Sequence, residues 1–177
     1  TGPASGNLTP PIHFTGVGNS LYFSGENYIK ASGYTTATSC IHVGADTALA
    51  IDGDGKLSLH VAGGGSCIGG ADSATNGDIT INGGTIFAYA SNAGSTIGSG
   101  QKVSAEGNIT INGGELHLFG KARGAVIGSG GLSGGLIGDG ADVAISGGNT
   151  TLYVDFTGSA IGNGGGAEYP GGVSFGV

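Results

Sequence analysis

The chain has 177 residues, of which 42 are glycine and only 10% are charged, and it contains neither Trp nor Met. This length suits one domain, and we expect residues 1–177 to form a single module of a longer exported protein. A net charge of −7 without a basic stripe argues against nucleic acid as a partner, and the lack of an apolar run of about 18 residues argues against insertion into a membrane.

The sequence repeats itself about every 30 residues. The segment GDITINGG at 77–84 returns as GNITINGG at 107–114, and STIGSG at 95–100 returns as AVIGSG at 125–130. Such a repeat predicts a solenoid, because each unit can bury its apolar face only against its neighbours.

In chain order, each repeat predicts three short strands with apolar residues at every second position, at 79–81, 86–90 and 95–97 in the clearest repeat. No apolar stripe has helical spacing. The aligned apolar columns are Leu21, Leu49, Ile79, Ile109, Val143, Val173; Phe23, Ile51, Ile81, Ile111, Ile145, Phe175; Ile12, Ile41, Ile68, Ile97, Ile127, Ile161; Ile29, Leu57, Ile86, Leu116, Leu152; and Ala31, Leu59, Ala88, Leu118, Val154. The fold is therefore predicted to be all-β, a parallel β-helix of about six turns with roughly 28–34 residues per turn.

Glycines recur where each turn must bend. Gly25, Gly53, Gly83, Gly113 and Gly147 follow the second strand column, and we expect positive φ angles there. The polar residues before them predict a hydrogen-bonded structural ladder: Ser24, Asp52, Asn82, Asn112 and Ser146. The C-terminal segment GGVSFGV begins another turn, so we expect an open strand edge there that packs end to end or against a neighbouring domain.

Cys40 and Cys67 each precede an Ile of one column, so they are expected to stack in successive turns. Their expected Cα spacing of about 5 Å lies in the range of a disulfide. A tetrahedral metal site is the alternative, because His42 lies two residues after Cys40 and His13 occupies the same column one turn earlier.

Acidic residues gather around the sequence DGDG. The spaced ligands of a calcium-binding helix–loop–helix are missing, so we expect a polar turn and no cofactor. The alternative is a calcium site, because Asp46, Asp52 and Asp54 supply carboxylates of the kind that bind calcium.

One strand per turn places aromatic rings on its outward side. If Ile86 and Ala88 point inward, Phe87 and Tyr89 point outward, and the adjoining turns add further rings. We call this the aromatic face, and we predict that it binds a ligand through Phe87, Tyr89, His117, Phe119, Tyr153, His60 and the acidic Glu115. Phe87, His117 and Tyr153 are expected to form one column, and His60, Tyr89 and Phe119 the next. Cross-strand stacking for stability is the alternative.

Catalysis has little support in the sequence. No predicted strand carries two adjacent outward carboxylates, as a glycoside hydrolase would need, and no nucleophile motif appears. We therefore expect a protein without enzymatic activity and without catalytic residues.

The units NITINGGELHLFG and AGSTIGSG resemble the Gly-rich β-helical repeats of exported surface proteins in gut and other Gram-positive bacteria, which are adhesin-like or carbohydrate-binding-domain proteins. The resemblance covers about residues 20–165 and is strongest at 77–130. It implies a right-handed β-helix, an extracellular or cell-surface location, and a glycan or surface polysaccharide as partner. It carries no catalytic residues over to this chain.

Three functions remain open. The first is a non-catalytic carbohydrate-binding or adhesin module that uses the aromatic face, since sugars stack their C–H faces on aromatic rings. The second is a structural stalk or spacer that binds nothing itself. The third is a β-helix polysaccharide lyase or hydrolase.

Overall fold

The computed structural model describes residues 9–31, 38–121, 123–131, 141–155 and 157–165. Across these residues the protein is all-β, and its sixteen strands form three parallel sheets stacked as a solenoid. The predicted parallel β-helix is therefore confirmed. The predicted column members Val173 and Phe175, and the C-terminal open edge, lie outside the described residues.

Each pass of the chain contributes one strand to each sheet in turn. Sheet A contains β1 (Ile12–Phe14), β4 (Ile41–Val43), β7 (Ile68–Gly69), β10 (Ile97–Gly98), β13 (Ile127–Gly128) and β16 (Ile161–Gly162). Sheet B contains β2 (Asn19–Phe23), β5 (Ala48–Gly53), β8 (Asp78–Ile81), β11 (Ile109–Ile111) and β14 (Val143–Ile145). Sheet C contains β3 (Glu26–Ala31), β6 (Lys56–Val61), β9 (Thr85–Ala90), β12 (Glu115–Gly120) and β15 (Asn149–Val154). Sheets B and C have five described strands each, so the described solenoid is shorter than the six turns predicted.

The core is a set of apolar columns that run along the solenoid. Ile79 pairs in register with Ile109, and Ile81 with Ile111, and all four side chains are fully buried. In sheet A the predicted isoleucine column is continuous from Ile12 to Ile161. Outward residues between the buried ones, such as Thr110, are half-buried. The alternation thus assigns one side of each strand to the core, as the period of two predicts.

The predicted register is wrong by two residues in the first turn. Leu21 pairs with Ile51, and Ile29 pairs with Leu59, whereas the sequence columns had aligned these residues with Leu49 and Leu57. A shift of two residues keeps every side chain on the same face, so the apolar pattern cannot detect it. The register is set instead at the corner between sheets B and C, where the Lys56 amide donates a hydrogen bond to the carbonyl of Gly25.

The same error occurs at the other end of sheet C. Leu152 pairs with Leu118 rather than Leu116, and Val154 pairs with Gly120 rather than Leu118. The corner again sets the register, because the Asn149 amide donates to the carbonyl of Gly114.

The corner glycines with positive φ lie one residue later than predicted in three turns, at Gly84, Gly114 and Gly148, whereas Gly25 has the predicted positive φ of 65°. A second row of such glycines ends the strands of sheet A: Gly69, Gly98, Gly128 and Gly162, with φ between 114° and 132°. A Cβ atom on Gly98 would overlap the carbonyl oxygen of Gly128 in the next turn. Glycine is therefore required there both by conformation and by space.

The predicted polar ladder is present at the corner between sheets B and C. The amide of Asn112 donates to Oδ1 of Asn82 at 3.0 Å, and the hydroxyl of Ser146 donates to Oδ1 of Asn112 at 3.0 Å. In the preceding turn, Oδ1 of Asp52 accepts from the Gly53 amide at 2.8 Å. These side chains satisfy one another and the backbone, which is a structural role.

Replacing Ile111 by Asp should lower the free energy of unfolding by about 4 kcal/mol or more, because an unpaired carboxylate would enter a fully buried column. Thr110→Asp is the matched control, because its side chain is on the outward side of the same strand, and it should cost only about 0.5–1 kcal/mol. Urea denaturation followed by circular dichroism measures both. Equal losses for the two variants would contradict the assignment of faces.

Two glycine variants, Gly98→Ala and Gly16→Ala, distinguish the stability lost to a steric clash from the stability lost to backbone strain. Both glycines have positive φ, but a Cβ on Gly16 would meet nothing within 4 Å. We expect Gly16→Ala to cost about 1 kcal/mol of stability, from the left-handed conformation alone. Gly98→Ala should cost about 3 kcal/mol or more, because the turns must also move apart. Similar unfolding midpoints for the two variants would show that the close approach of the backbones is unimportant.

Candidate functional site: the aromatic face of sheet C

The candidate site is the outward side of sheet C. On β9 the residues Ile86, Ala88 and Ala90 are buried, so Phe87 and Tyr89 point outward and are half-buried. The neighbouring strands β6 and β12 have the same inward and outward pattern. The parallel register therefore lines up the outward side chains of successive turns in columns.

The His117 column consists of Tyr28, Ser58, Phe87, His117 and Thr151. The rings of Phe87 and His117 are stacked, with centroids 4.5 Å apart and an interplanar angle of 8°. His117 Nε2 lies 3.1 Å from Oε1 of Glu115. The ammonium of Lys56 is 5.1 Å from the centroid of Phe87, which is a cation–π distance.

The Tyr89 column consists of Lys30, His60, Tyr89, Phe119 and Tyr153. Phe119 and Tyr153 are stacked at 4.3 Å with an angle of 3°, whereas His60 and Tyr89 are tilted by 58° at 5.1 Å. Tyr153 was predicted beside His117, and the structure corrects this. The two-residue shift of β15 moves its ring to the neighbouring column.

The stacking determines which parts of the rings a ligand can reach. Phe87 and His117 cover each other's faces, as do Phe119 and Tyr153. Each of these four rings therefore has one face covered by its stacking partner, and the rings do not form the flat platform that the sequence suggested. Tyr153 is the most open of them, with 48% of its surface exposed.

A cavity of about 460 Å³ lies at the β3 end of the face. It is lined by Tyr28, Ser58, Leu59, His60, Phe87, Ala88, Tyr89 and Phe119. Sequence reasoning missed Tyr28, because the mistaken register of β3 hid its position beside Ser58. Corner alignment of Gly25 with Gly55 was the signal that could have placed it.

Two lysines, Lys30 and Lys56, lie near the cavity, against the single carboxylate of Glu26. Burial and the neighbouring charge of Lys30 lower the pKa of His60 below its usual value. Lys30 and His60 are in register on adjacent strands, and Lys56 lies on the same face. This differs from the chain as a whole, which has a net charge of −7.

The structure does not support the predicted disulfide, since Cys40 and Cys67 are free buried thiols. They are neighbours in successive turns, as predicted, because Ile41 pairs with Ile68. The Cα spacing would allow a disulfide, but side chains in register on parallel strands point the same way, so their Cβ atoms stay about 4.8 Å apart, beyond the roughly 3.5–4.5 Å of a disulfide.

The two thiols hydrogen-bond to each other, and both also interact with the backbone of sheet C. The thiol of Cys40 lies 3.3 Å from the carbonyl oxygen of His60, and that of Cys67 interacts with the carbonyl of Tyr89. Thr96, next in this column, donates to the carbonyl of Phe119 at 3.0 Å. Burial raises the pKa of Cys67 well above its usual value, so it stays a thiol. The column thus supports the strands that carry the Tyr89 column.

The alternative metal site of two Cys and two His is not assembled. The ring of His42 contacts His13, with centroids 4.8 Å apart, and its Nδ1 lies 3.2 Å from the hydroxyl of Ser39. The thiol of Cys40 contacts sheet C carbonyls instead. Among the described residues, no three or more His, Cys, Asp or Glu side chains are grouped to hold a metal ion.

The three acidic residues considered for calcium are not brought together. Asp46 lies before β5, whereas Asp52 lies near the end of β5 and Asp54 follows it. At about 3.3 Å per residue, Asp46 is separated from Asp52 and Asp54 by most of the strand's length. Asp54 instead faces Tyr22, where its charge is the main cause that raises the pKa of the tyrosine. Proximity in sequence was misleading because a straight strand separates its two ends.

The fold and this site define the protein as a parallel β-solenoid with an aromatic face on one sheet. Comparison with protein-family models, with curated proteins and with solved structures found no match for the chain. The described residues include no helix that is long and apolar enough to cross a membrane. The resemblance to Gly-rich surface proteins therefore stays a prediction.

Acidification should destabilise the protein through His42. Burial, followed by the nearby charge of His13, lowers the pKa of His42 in the folded state, although the backbone of Gly69 partly opposes this. The unfolded chain then binds more protons just below its pKa of about 6.5, so stability is full above that pH and falls as the pH drops towards the folded pKa. Urea unfolding at pH 7.5 and pH 5 should show a loss that His42→Asn reduces. An unchanged pH dependence in this variant would contradict the prediction.

Proposed function

We propose that the protein is a non-catalytic carbohydrate-binding module, of the adhesin type, that binds glycan at the aromatic face. The observation that supports this most is the clustering of outward rings in two adjacent columns beside a cavity of about 460 Å³. Cavities of this size bind small ligands, and an apolar wall with few polar groups is suited to sugars.

The chemistry of binding follows from the two kinds of group on the face. The C–H faces of a sugar would contact open ring surface around Tyr89 and the exposed Tyr153. Its hydroxyls would hydrogen-bond to the carboxylate of Glu115 and the imidazole of His60. An extracellular location on a bacterial surface belongs to the same proposal, since it is what the repeat resemblance implies.

The positions of the carboxylates favour binding over hydrolysis. Glu26 and Glu115 are in one register row, separated by Lys56 and Thr85. Three strand spacings put these two carboxylates about 14 Å apart, whereas glycoside hydrolases use separations of about 5–9.5 Å. The row therefore has no carboxylate pair at a catalytic distance, and no catalytic residue is assigned.

The second candidate is a structural stalk, and the face-to-face stacking of Phe87 with His117 favours it specifically. Stacked cross-strand rings stabilise a sheet without any ligand. The two functions differ in what happens when a ring is removed. A stalk loses stability only, whereas a binding module also loses affinity.

Tyr89→Ala should weaken glycan binding about tenfold, because ring contacts concentrate binding energy in few residues. Its stability should fall by only about 1 kcal/mol. A broad glycan array identifies the ligand, and calorimetry then measures affinity. Tyr22→Ala is the matched control, because Tyr22 is a tyrosine 65% exposed on sheet B, whereas the aromatic face belongs to sheet C.

Monovalent affinity should be modest, since a shallow face buries little of a ligand, and display in several copies would raise it. The array should therefore use a multivalent form of the protein. Equal array signals for wild type, Tyr89→Ala and Tyr22→Ala would leave the stalk as the better account.

A further inference from the structure

The His117 column has one gap. Tyr28, Ser58 and Phe87 are consecutive members of the column, and of these three only Ser58 lacks a ring. Strands in a sheet are about 4.8 Å apart, so the positions of Tyr28 and Phe87 are about 9.5 Å apart along the solenoid. We call the space between them, above the hydroxyl of Ser58, the Ser58 gap. It forms part of the cavity described above, which both rings line.

The width of the Ser58 gap matches a single six-membered ring. Elsewhere on this face two neighbouring rings stack with centroids 4.3 Å or 4.5 Å apart. Two such stacking distances add up to about 9 Å, which is close to the strand-derived spacing of about 9.5 Å. One pyranose ring can therefore contact an aromatic wall on each side, whereas two stacked rings cannot enter.

One face of Phe87 is not covered by another ring. His117 on β12 covers the opposite face, so the face towards β6 and Ser58 is the one that the Lys56 ammonium approaches. A cation–π contact at an exposed site is weak, so a ligand can displace the ammonium from the ring. Tyr28, on the other side of the gap, is 66% exposed.

Two lysines and one glutamate, Glu26, lie beside the Ser58 gap, so positive charge prevails there. The whole chain has only five Lys and Arg residues, and two of them, Lys30 and Lys56, point outward on the two strands that form the gap. Within the described part of the chain, Lys56 makes no ion pair, although Glu26 is its register partner. Its ammonium is thus available to a negatively charged group of a ligand.

We propose that the Ser58 gap is a subsite for one uronic acid unit of an acidic glycan. The pyranose ring lies between Tyr28 and Phe87, and its carboxylate pairs with Lys56. This deepens the proposed function and rests on it, since it names the glycan class and the position of one sugar. The rest of the cavity, towards His60 and Tyr89, receives the neighbouring sugar units.

The test compares each acidic ligand with its own neutral form. Oligomers of galacturonate, mannuronate and guluronate are titrated by calorimetry at low salt, beside the fully methyl-esterified form of each. The ester keeps the ring and removes the charge. For at least one oligomer, we expect wild type to bind the acid at least about tenfold more tightly than the ester.

Two variants separate the ring contact from the ion pair. Lys56→Gln should bind acid and ester alike, because it removes only the charge. Ser58→Phe should lose binding of both, because its ring fills the gap; melting curves confirm that each variant folds. Tyr22→Ala should bind as wild type does.

The outcomes distinguish this inference from the proposed function. Neutral glycans that bind while no acid is preferred over its ester would overturn the uronate subsite and leave the carbohydrate-binding function standing. Unchanged binding by folded Ser58→Phe, or an unchanged acid preference in Lys56→Gln, would likewise overturn it. Binding of neither uronates nor any neutral glycan would overturn both.

Discussion

The structure depends on the close approach of successive turns at glycine corners. Each turn donates backbone hydrogen bonds to the next along its strands, and this requires strands about 4.8 Å apart around the whole circuit. At the corners the backbones come so near that a Cβ on Gly98 would overlap the carbonyl of Gly128, and one on Gly114 would press on Gly84. Glycine at these close corners therefore permits the three sheets to keep one spacing, and this requirement accounts for part of the high glycine content.

The fixed strand spacing also determines how outward side chains are arranged on the surface. Because every turn repeats at the same height, side chains at one register position form a column whether or not they attract one another. Aromatic rings in adjacent turns come to stacking distance automatically, as in Phe119 and Tyr153 at 4.3 Å. Stacking alone is thus weak support for a binding site. An interruption within a column is more informative, because there the face of a ring is left uncovered by a neighbouring ring.

Much of the fold could be predicted from the sequence, because apolar alternation and the repeat identify the strands and their buried sides. The exact register could not be predicted for the first strands of sheets B and C or for the last strand of sheet C. Alternation has a period of two, so aligning Ile29 with Leu57 or with Leu59 satisfies it equally. The corner glycines indicate the register that the alternation leaves open. Aligning Gly25 with Gly55 would have placed Tyr28 correctly, and aligning the corners at the other end of sheet C would have placed Tyr153 correctly.

The candidate site was predictable only in outline, for a related reason. Sequence columns identify which residues share a face of the sheet, but not the orientation of each ring. They therefore suggested a flat platform, whereas the structure has stacked pairs of rings. The cysteines show the same limit: register made Cys40 and Cys67 neighbours, while the strand spacing kept their sulfurs available to the carbonyls of His60 and Tyr89. In this solenoid the strand spacing of about 4.8 Å opposes a disulfide between adjacent turns. Where a small residue such as Ser58 occupies one position of a column, the same spacing leaves a space two strand spacings wide. A ring-sized space of this kind arises wherever serine separates two aromatic residues in a column, and here Lys56 gives that space its charge.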